Sequence, residues 1–160
     1  MIPEPRLNNL YQEVILDHNK KPRNFKALEA PTHYSHGVNP LCGDDYHLYL
    51  QIADGVIQDV GFQGSGCAIS KSSASLLTTL IKGKTPEEAA KLQENVLYLM
   101  THDQVPEACK KESGRMVIFE GVREFPVRVK CATLIWHALQ DALKDASGKL
   151  PSPNAGGSHD

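Results

Sequence analysis

Four residues in this chain have the types to do chemistry together: Cys42 and Asp44 in Cys42-Gly43-Asp44, Cys67 in Gly64-Ser65-Gly66-Cys67-Ala68-Ile69-Ser70, and Cys131 in Val129-Lys130-Cys131-Ala132. Three thiolates and a carboxylate make a four-coordinate donor set that suits Zn²⁺ or an iron–sulfur cluster. For any one of these cysteines alone, burial as a small hydrophobe is explanation enough. Their joint placement where loops meet helices or strands is what points to a shared metal. The cysteines follow the pattern C-x24-C-x41-C-x21-C, without the short C-x2-C knuckles of a zinc finger, so any site must be assembled by the fold.

The surroundings favour ionised thiols. Pro40 holds Asn39 extended, and Gly43 is expected to let the backbone come close to a ligand. Cys67 precedes a helix whose positive end lowers a thiol pKa. Arg128 lies three residues before Cys131 on the same helical face, and Lys130 is its sequence neighbour. Cys109 has no such context and reads as an incidental thiol on an irregular segment. His137 reads as packed or surface-facing, and His47, entering a strand just after Asp44, is the reserve ligand. The serines at 70, 72, 73 and 75 read as helix caps and close-packing residues, with Ser70 the N-cap. The Walker pattern and the nucleophile elbow are both absent.

The elements that must position these residues follow from periodicity. Leu7, Leu10, Tyr11, Val14, Ile15 and His18 recur at helical spacing and predict an amphipathic first helix, ended by Lys20-Lys21-Pro22. Strands are expected within 32–39, over 46–53 and over 56–63, the last two joined by an Asp54-Gly55 hairpin. In the third strand Val56, Val60 and Phe62 are assigned to one face, against Ile57 and Asp59. A helix then runs from Ser70 to Lys82, and Thr85-Pro86-Glu87-Glu88 opens another. Residues 97–121 read as short helical pieces and turns. A long last helix begins near Pro126 and buries Leu134, Ile135, Leu139, Ala142 and Leu143. The expected fold class is α+β: a three-stranded antiparallel sheet with helices on one face, between an N-terminal and a long C-terminal helix. Residues 1–146 form one domain and 147–160 a disordered tail.

Composition narrows the function. A chain of 160 residues with 41% apolar and 22% charged content builds one core, and a net charge of −2 gives no footing for nucleic acid or an acidic membrane. No apolar run spans a bilayer and the N-terminus lacks a signal peptide, so the expected compartment is cytoplasmic, where four cysteines stay reduced.

Leu10-Tyr11 with Ile15-Leu16-Asp17-His18, Lys21-Pro22-Arg23-Asn24, Asn39-Pro40-Leu41-Cys42-Gly43-Asp44, Gly64 to Ser70, Lys82-Gly83-Lys84 and Arg128 to Leu134 together resemble the IscU/NifU N-terminal family of iron–sulfur assembly proteins. The resemblance runs in order over roughly residues 7–145, and leans to the SufU-like branch. It does so because residues 97–121 look inserted relative to scaffolds, and because Lys130 stands where scaffolds carry a histidine. It implies Zn²⁺ on Cys42, Asp44, Cys67 and Cys131, and sulfur transfer from a SufS-like cysteine desulfurase to downstream assembly components. Cys42 would be the persulfide acceptor, with Arg128 holding the loop or steering the persulfide, in a sulfurtransferase-like partner rather than a stand-alone enzyme. The alternatives are a scaffold carrying a transient [2Fe–2S] cluster and a non-catalytic zinc-stabilised adaptor.

Overall fold

The computed structural model describes residues 5–144, with side chains from Glu13 onward. The expected tail lies outside the described residues, as do the side chains of Leu7, Leu10 and Tyr11. Helix α1 spans Pro5–Lys20, strands β1, β2 and β3 span His33–Asn39, Asp44–Ala53 and Val56–Ser65, and helices α2 and α3 span Ala68–Ile81 and Pro86–Thr101. Helix α4 (Glu107–Ser113) leads through consecutive 3₁₀ turns (Gly114–Glu124) to helix α5 (Pro126–Lys144). The expected α+β class is borne out: the sheet is an antiparallel meander ordered β1-β2-β3. Among the described residues no helix is long and apolar enough to cross a membrane.

Alternation along β2 separates the faces. Tyr46, Leu48 and Leu50 are fully buried, opposite Gly64, Phe62 and Val60 of β3. Burying each of these large apolar side chains is worth about 1.5–3 kcal/mol. Asp54 and Gly55 take φ of 56° and 76°, the type I′ turn expected of the Asp-Gly pair. The expected face of β3 needs a correction. A register shift opposite Gln51/Ile52 adds a residue to β3 between Asp59 and Ile57, so Ile57 is fully buried with Val60 and Phe62 while Val56 is only half-buried. A bulge reverses the alternation beyond it.

Helix α5 crosses β1 and β2, and α2 packs on β3 and on α5. Small side chains let them close up: the Ser35 hydroxyl donates to the Ala138 carbonyl at 2.6 Å, and Ser73 Oγ to the Ala132 carbonyl at 2.7 Å. Trp136 Nε1 donates back to Ser73 Oγ at 3.1 Å. The two Ser73 bonds fix α5 against α2, with Ala132 one residue from Cys131. On α1, His18 is buried with its Nδ1 2.7 Å from Ser75 Oγ, tying α1 to α2.

Thr85 caps α3 with a reciprocal Glu88 bond and Pro86 in the first turn, as its sequence predicts. Helix α2 starts earlier than expected. Its N-cap is Cys67, whose sulfur accepts from Ser70 N–H at 3.4 Å, because the Ser70 hydroxyl is committed elsewhere. Residues 97–121 take the expected short helical pieces and turns, with Met116 and Phe119 fully buried to anchor the 3₁₀ segment.

Candidate metal centre

Three elements converge at one end of the sheet. Asn39 ends β1, the turn 40–43 carries Cys42, and β2 begins at Asp44 on the helix-facing side. Cys131 arrives one and a half turns into α5, and Cys67 sits at the start of α2. Cys42 Sγ and Cys131 Sγ are 3.1 Å apart, and the donor atoms of Cys42, Asp44 and Cys131 all lie within 4.8 Å of one another. The cysteines are free thiols. Asp44 and Cys131 are fully buried, whereas Cys42 is half-exposed.

Asp44 is held by a network only partly visible in the sequence. Its Oδ1 accepts from Cys67 N–H at 3.1 Å and from the Ser70 hydroxyl at 2.9 Å. The Tyr46 hydroxyl lies 3.1 Å from Ser70 Oγ, and burial pushes the Tyr46 phenol up to about 12, so it remains a proton donor to that network. Oδ2 receives a long 3.4 Å contact from Asn39 Nδ2, which also stands 4.0 Å from Cys131 Sγ. One carboxylate oxygen is therefore anchored and the other is turned toward the sulfurs. Gly66 permits this packing: a Cβ there would collide with Asp44 Oδ1 and Ser70 Oγ. Gly43 meets a different demand from Gly66. Among the described residues nothing lies within 4 Å of a Cβ placed on it, and its φ of +72° is what the turn between Cys42 and Asp44 requires.

The sequence-predicted set is thus unevenly assembled. Cys42, Asp44 and Cys131 come together; Cys67 stands beside them, its sulfur accepting from the Ser70 N–H, a bond that a ligating thiolate can keep. Arg128 is exposed on the first turn of α5, and among the described residues its side chain makes no hydrogen bond or ion pair. His47 does not serve as a reserve ligand: strand alternation puts it on the opposite face of the sheet, with His36 and Asp45. Cys109 lies on α4 rather than on an irregular segment, buried, its thiol donating to the Asn95 carbonyl at 3.3 Å. His137 is exposed, as expected. Asn39, Tyr46 and Ser70 are functional neighbours that sequence reasoning missed. Their signal was parity: Tyr46 shares the inward face of Asp44.

The donor chemistry fits a cation. Burial pushes the Cys131 thiol far up, and neighbouring Cys42, Asp44 and Cys67 push it further. A positive charge standing among these donors would favour the Cys131 thiolate. Tetrahedral Zn²⁺ with bonds of ~2.3 Å separates its sulfurs by about 3.8 Å, so the 3.1 Å pair has to part by less than about 1 Å.

An α+β domain that gathers Cys42, Asp44 and Cys131 within 4.8 Å, with Cys67 beside them, presents a thiol–carboxylate cluster with metal-ligand chemistry. The family model for the NifU-like N terminal domain matches residues 10–132. The chain is 37% identical over 139 residues to the iron–sulfur cluster assembly scaffold protein IscU of Streptococcus pyogenes, a match spanning 87% of this chain and 86% of that one. It is 36% identical over 142 residues to the zinc-dependent sulfurtransferase SufU of Bacillus subtilis, spanning 89% and 95%. A crystal structure of an iron–sulfur cluster assembly scaffold protein for the SUF system, from Fervidobacterium islandicum, superposes with a TM-score of 0.77 at 34% identity, covering 82% of this chain and 95% of that one. The chain belongs to the NifU-like N-terminal domain family, which includes the IscU and SufU proteins.

Proposed function

We propose that this protein serves iron–sulfur cluster assembly as a zinc-dependent sulfur acceptor for a cysteine desulfurase. The observation that carries the reading is the contrast within the sulfur pair: Cys131 is fully buried, while Cys42, 3.1 Å away, is half-exposed on a turn. Exposed Leu41 beside Cys42, and exposed Val127, whose carbonyl is 3.6 Å from Cys131 Sγ, offer apolar surface for a protein donor. Zinc-dependent sulfurtransferase is the name of a relative at 36% identity.

Cys42, Asp44, Cys67 and Cys131 would hold Zn²⁺, which when bound supplies the charge that keeps thiols ionised at neutral pH. The Cys42 thiolate attacks the outer sulfur of the donor's persulfide. A new S–S bond forms on Cys42 as the old one breaks, and its electron pair leaves with the desulfurase cysteine as thiolate. The outer sulfur keeps its proton, and no net oxidation occurs. Arg128, exposed one turn before Cys131, is available to stabilise the negative charge that leaves on the desulfurase sulfur.

The desulfurase assay tests this. Wild type should raise sulfide or alanine production several-fold, and Cys42→Ala should not; an equal rise with Cys42→Ala would sink the acceptor role and favour a zinc-stabilised adaptor. A [2Fe–2S] scaffold is the second reading, favoured by the scaffold names of relatives at 34% and 37% identity. Colourless zinc protein supports transfer. Charge-transfer bands after anaerobic reconstitution, followed by delivery to an apo-protein, support the scaffold.

A further inference from the structure

The opposite face of the sheet carries a second cluster with ligand chemistry, built from His36 on β1 and Asp45 and His47 on β2. His36 and His47 are paired directly across the two strands, and their rings stack with centroids 4.3 Å apart and planes 3° from parallel. Both rings turn Nε2 toward one carboxylate oxygen: His36 Nε2 is 2.7 Å and His47 Nε2 is 3.9 Å from Asp45 Oδ1. We propose that His36, His47 and Asp45 form a second metal site, separate from the cysteine centre, that takes a borderline divalent ion of the Zn²⁺ class.

Three observations carry this. The first is the donor set: two imidazoles and a carboxylate within 4.8 Å of one another, the combination that nitrogen-preferring divalent ions select over Mg²⁺ or Ca²⁺. The second is reach. Donors ~2.0 Å from a tetrahedral ion stand about 3.3 Å apart, between the two distances to Asp45, and the two stacked rings would swing apart about their side-chain torsions so that both Nε2 lone pairs converge on the ion. The third is support behind the ligands. The remaining nitrogen of His47, Nδ1, lies 2.6 Å from the Tyr34 hydroxyl, and the Tyr34 ring stacks against His47 and meets Tyr49 edge-on. A ligating histidine ordinarily donates its other ring N–H to an oxygen, which fixes the tautomer that leaves Nε2 free for metal. All three ligands stand on paired strands, so little conformational freedom is lost on binding. Asp45 is half-exposed, leaving the remaining coordination positions open to water or an incoming group.

The site is tested by metal stoichiometry on the full chain, stripped with chelator and titrated with Co²⁺ and then Zn²⁺ against a chromophoric competitor. Wild type should bind one equivalent without sulfur-to-cobalt charge-transfer absorption, in addition to any thiolate-bound equivalent, at micromolar free metal or below. The double variant His36→Asn/His47→Gln should lose that equivalent and keep the thiolate absorption. Tyr34→Phe should weaken it by about ten- to a hundredfold. Independently of any variant, ¹⁵N spectra of wild type should show the Nε2 resonances of His36 and His47 shifting together on Zn²⁺ addition. The proposal is overturned if no equivalent lacking sulfur absorption binds, if that equivalent survives in the double variant, or if the two resonances do not move.

Discussion

Adjacent residues of β2 open two different environments. Asp44 faces the helices, is fully buried, and has an oxygen held by a backbone N–H and a serine hydroxyl. Asp45 faces outward, half-exposed, between two histidines. Chemistry on the inner face is assembled from residues nearly ninety positions apart, and depends on α2 and α5 being packed correctly. Chemistry on the outer face needs only two paired strands. The difference is desolvation: inside, acidic groups crowd one another with little water to share their charge, and outside each keeps solvent as an alternative partner.

Exchanging each carboxylate should break this symmetry most sharply. Asp44→Ala should lower zinc affinity at the cysteine centre by more than about a hundredfold, beyond what loss of an outer-shell partner costs. It should also abolish stimulation of the desulfurase. Asp45→Asn should leave both unchanged, as read by chelator competition and turnover.

Stability should divide along the same line. Leu48→Ala, on the inner face, is expected to cost about 2–5 kcal/mol in urea unfolding, while Gln51→Ala, on the outer face, should stay within about 0.5 kcal/mol. A smaller effect, about 1 kcal/mol, is expected for Tyr46→Phe, which removes one hydroxyl from the Asp44 network and keeps the ring in place.

The last contrast concerns an imidazole with no place in either cluster. Burial lowers the pKa of His18, and Arg23 and Arg115 lower it further. The unfolded chain therefore binds this proton more readily than the folded one. The His18 contribution to stability should be complete above about pH 6.5 and decline as pH falls through the lowered folded value. His18→Gln should remove that part of the pH dependence in unfolding measured from pH 7 to 5.

Much of the fold was legible because its signals are local. The Asp54-Gly55 turn, the Thr85-Pro86-Glu88 cap and the apolar side of β2 each depend on residues within a few positions, and each holds. The errors fall where local preference met a distant partner. Ser70 has the chemistry of an N-cap, yet Asp44, twenty-six residues away, takes its hydroxyl and leaves the cap to Cys67. Ile57 lies on the face opposite to the one its strand alternation predicts, because a bulge depends on how two strands pair. His47 looked close to the cysteine centre by counting residues, but in a strand three positions from Asp44 means the opposite side.

Residue types and order were enough to mark three cysteines and a carboxylate as one candidate centre, and to predict an antiparallel meander covered by helices on one face. Which atoms meet was decided by packing. The close approach of Cys42 and Cys131, the anchoring of one Asp44 oxygen, the sideways stance of Cys67, and the pairing of His36 with His47 all depend on strand register and on the seating of α5 against α2 and the sheet. Contacts between residues distant along the chain form only when the burial of a shared core brings their elements together.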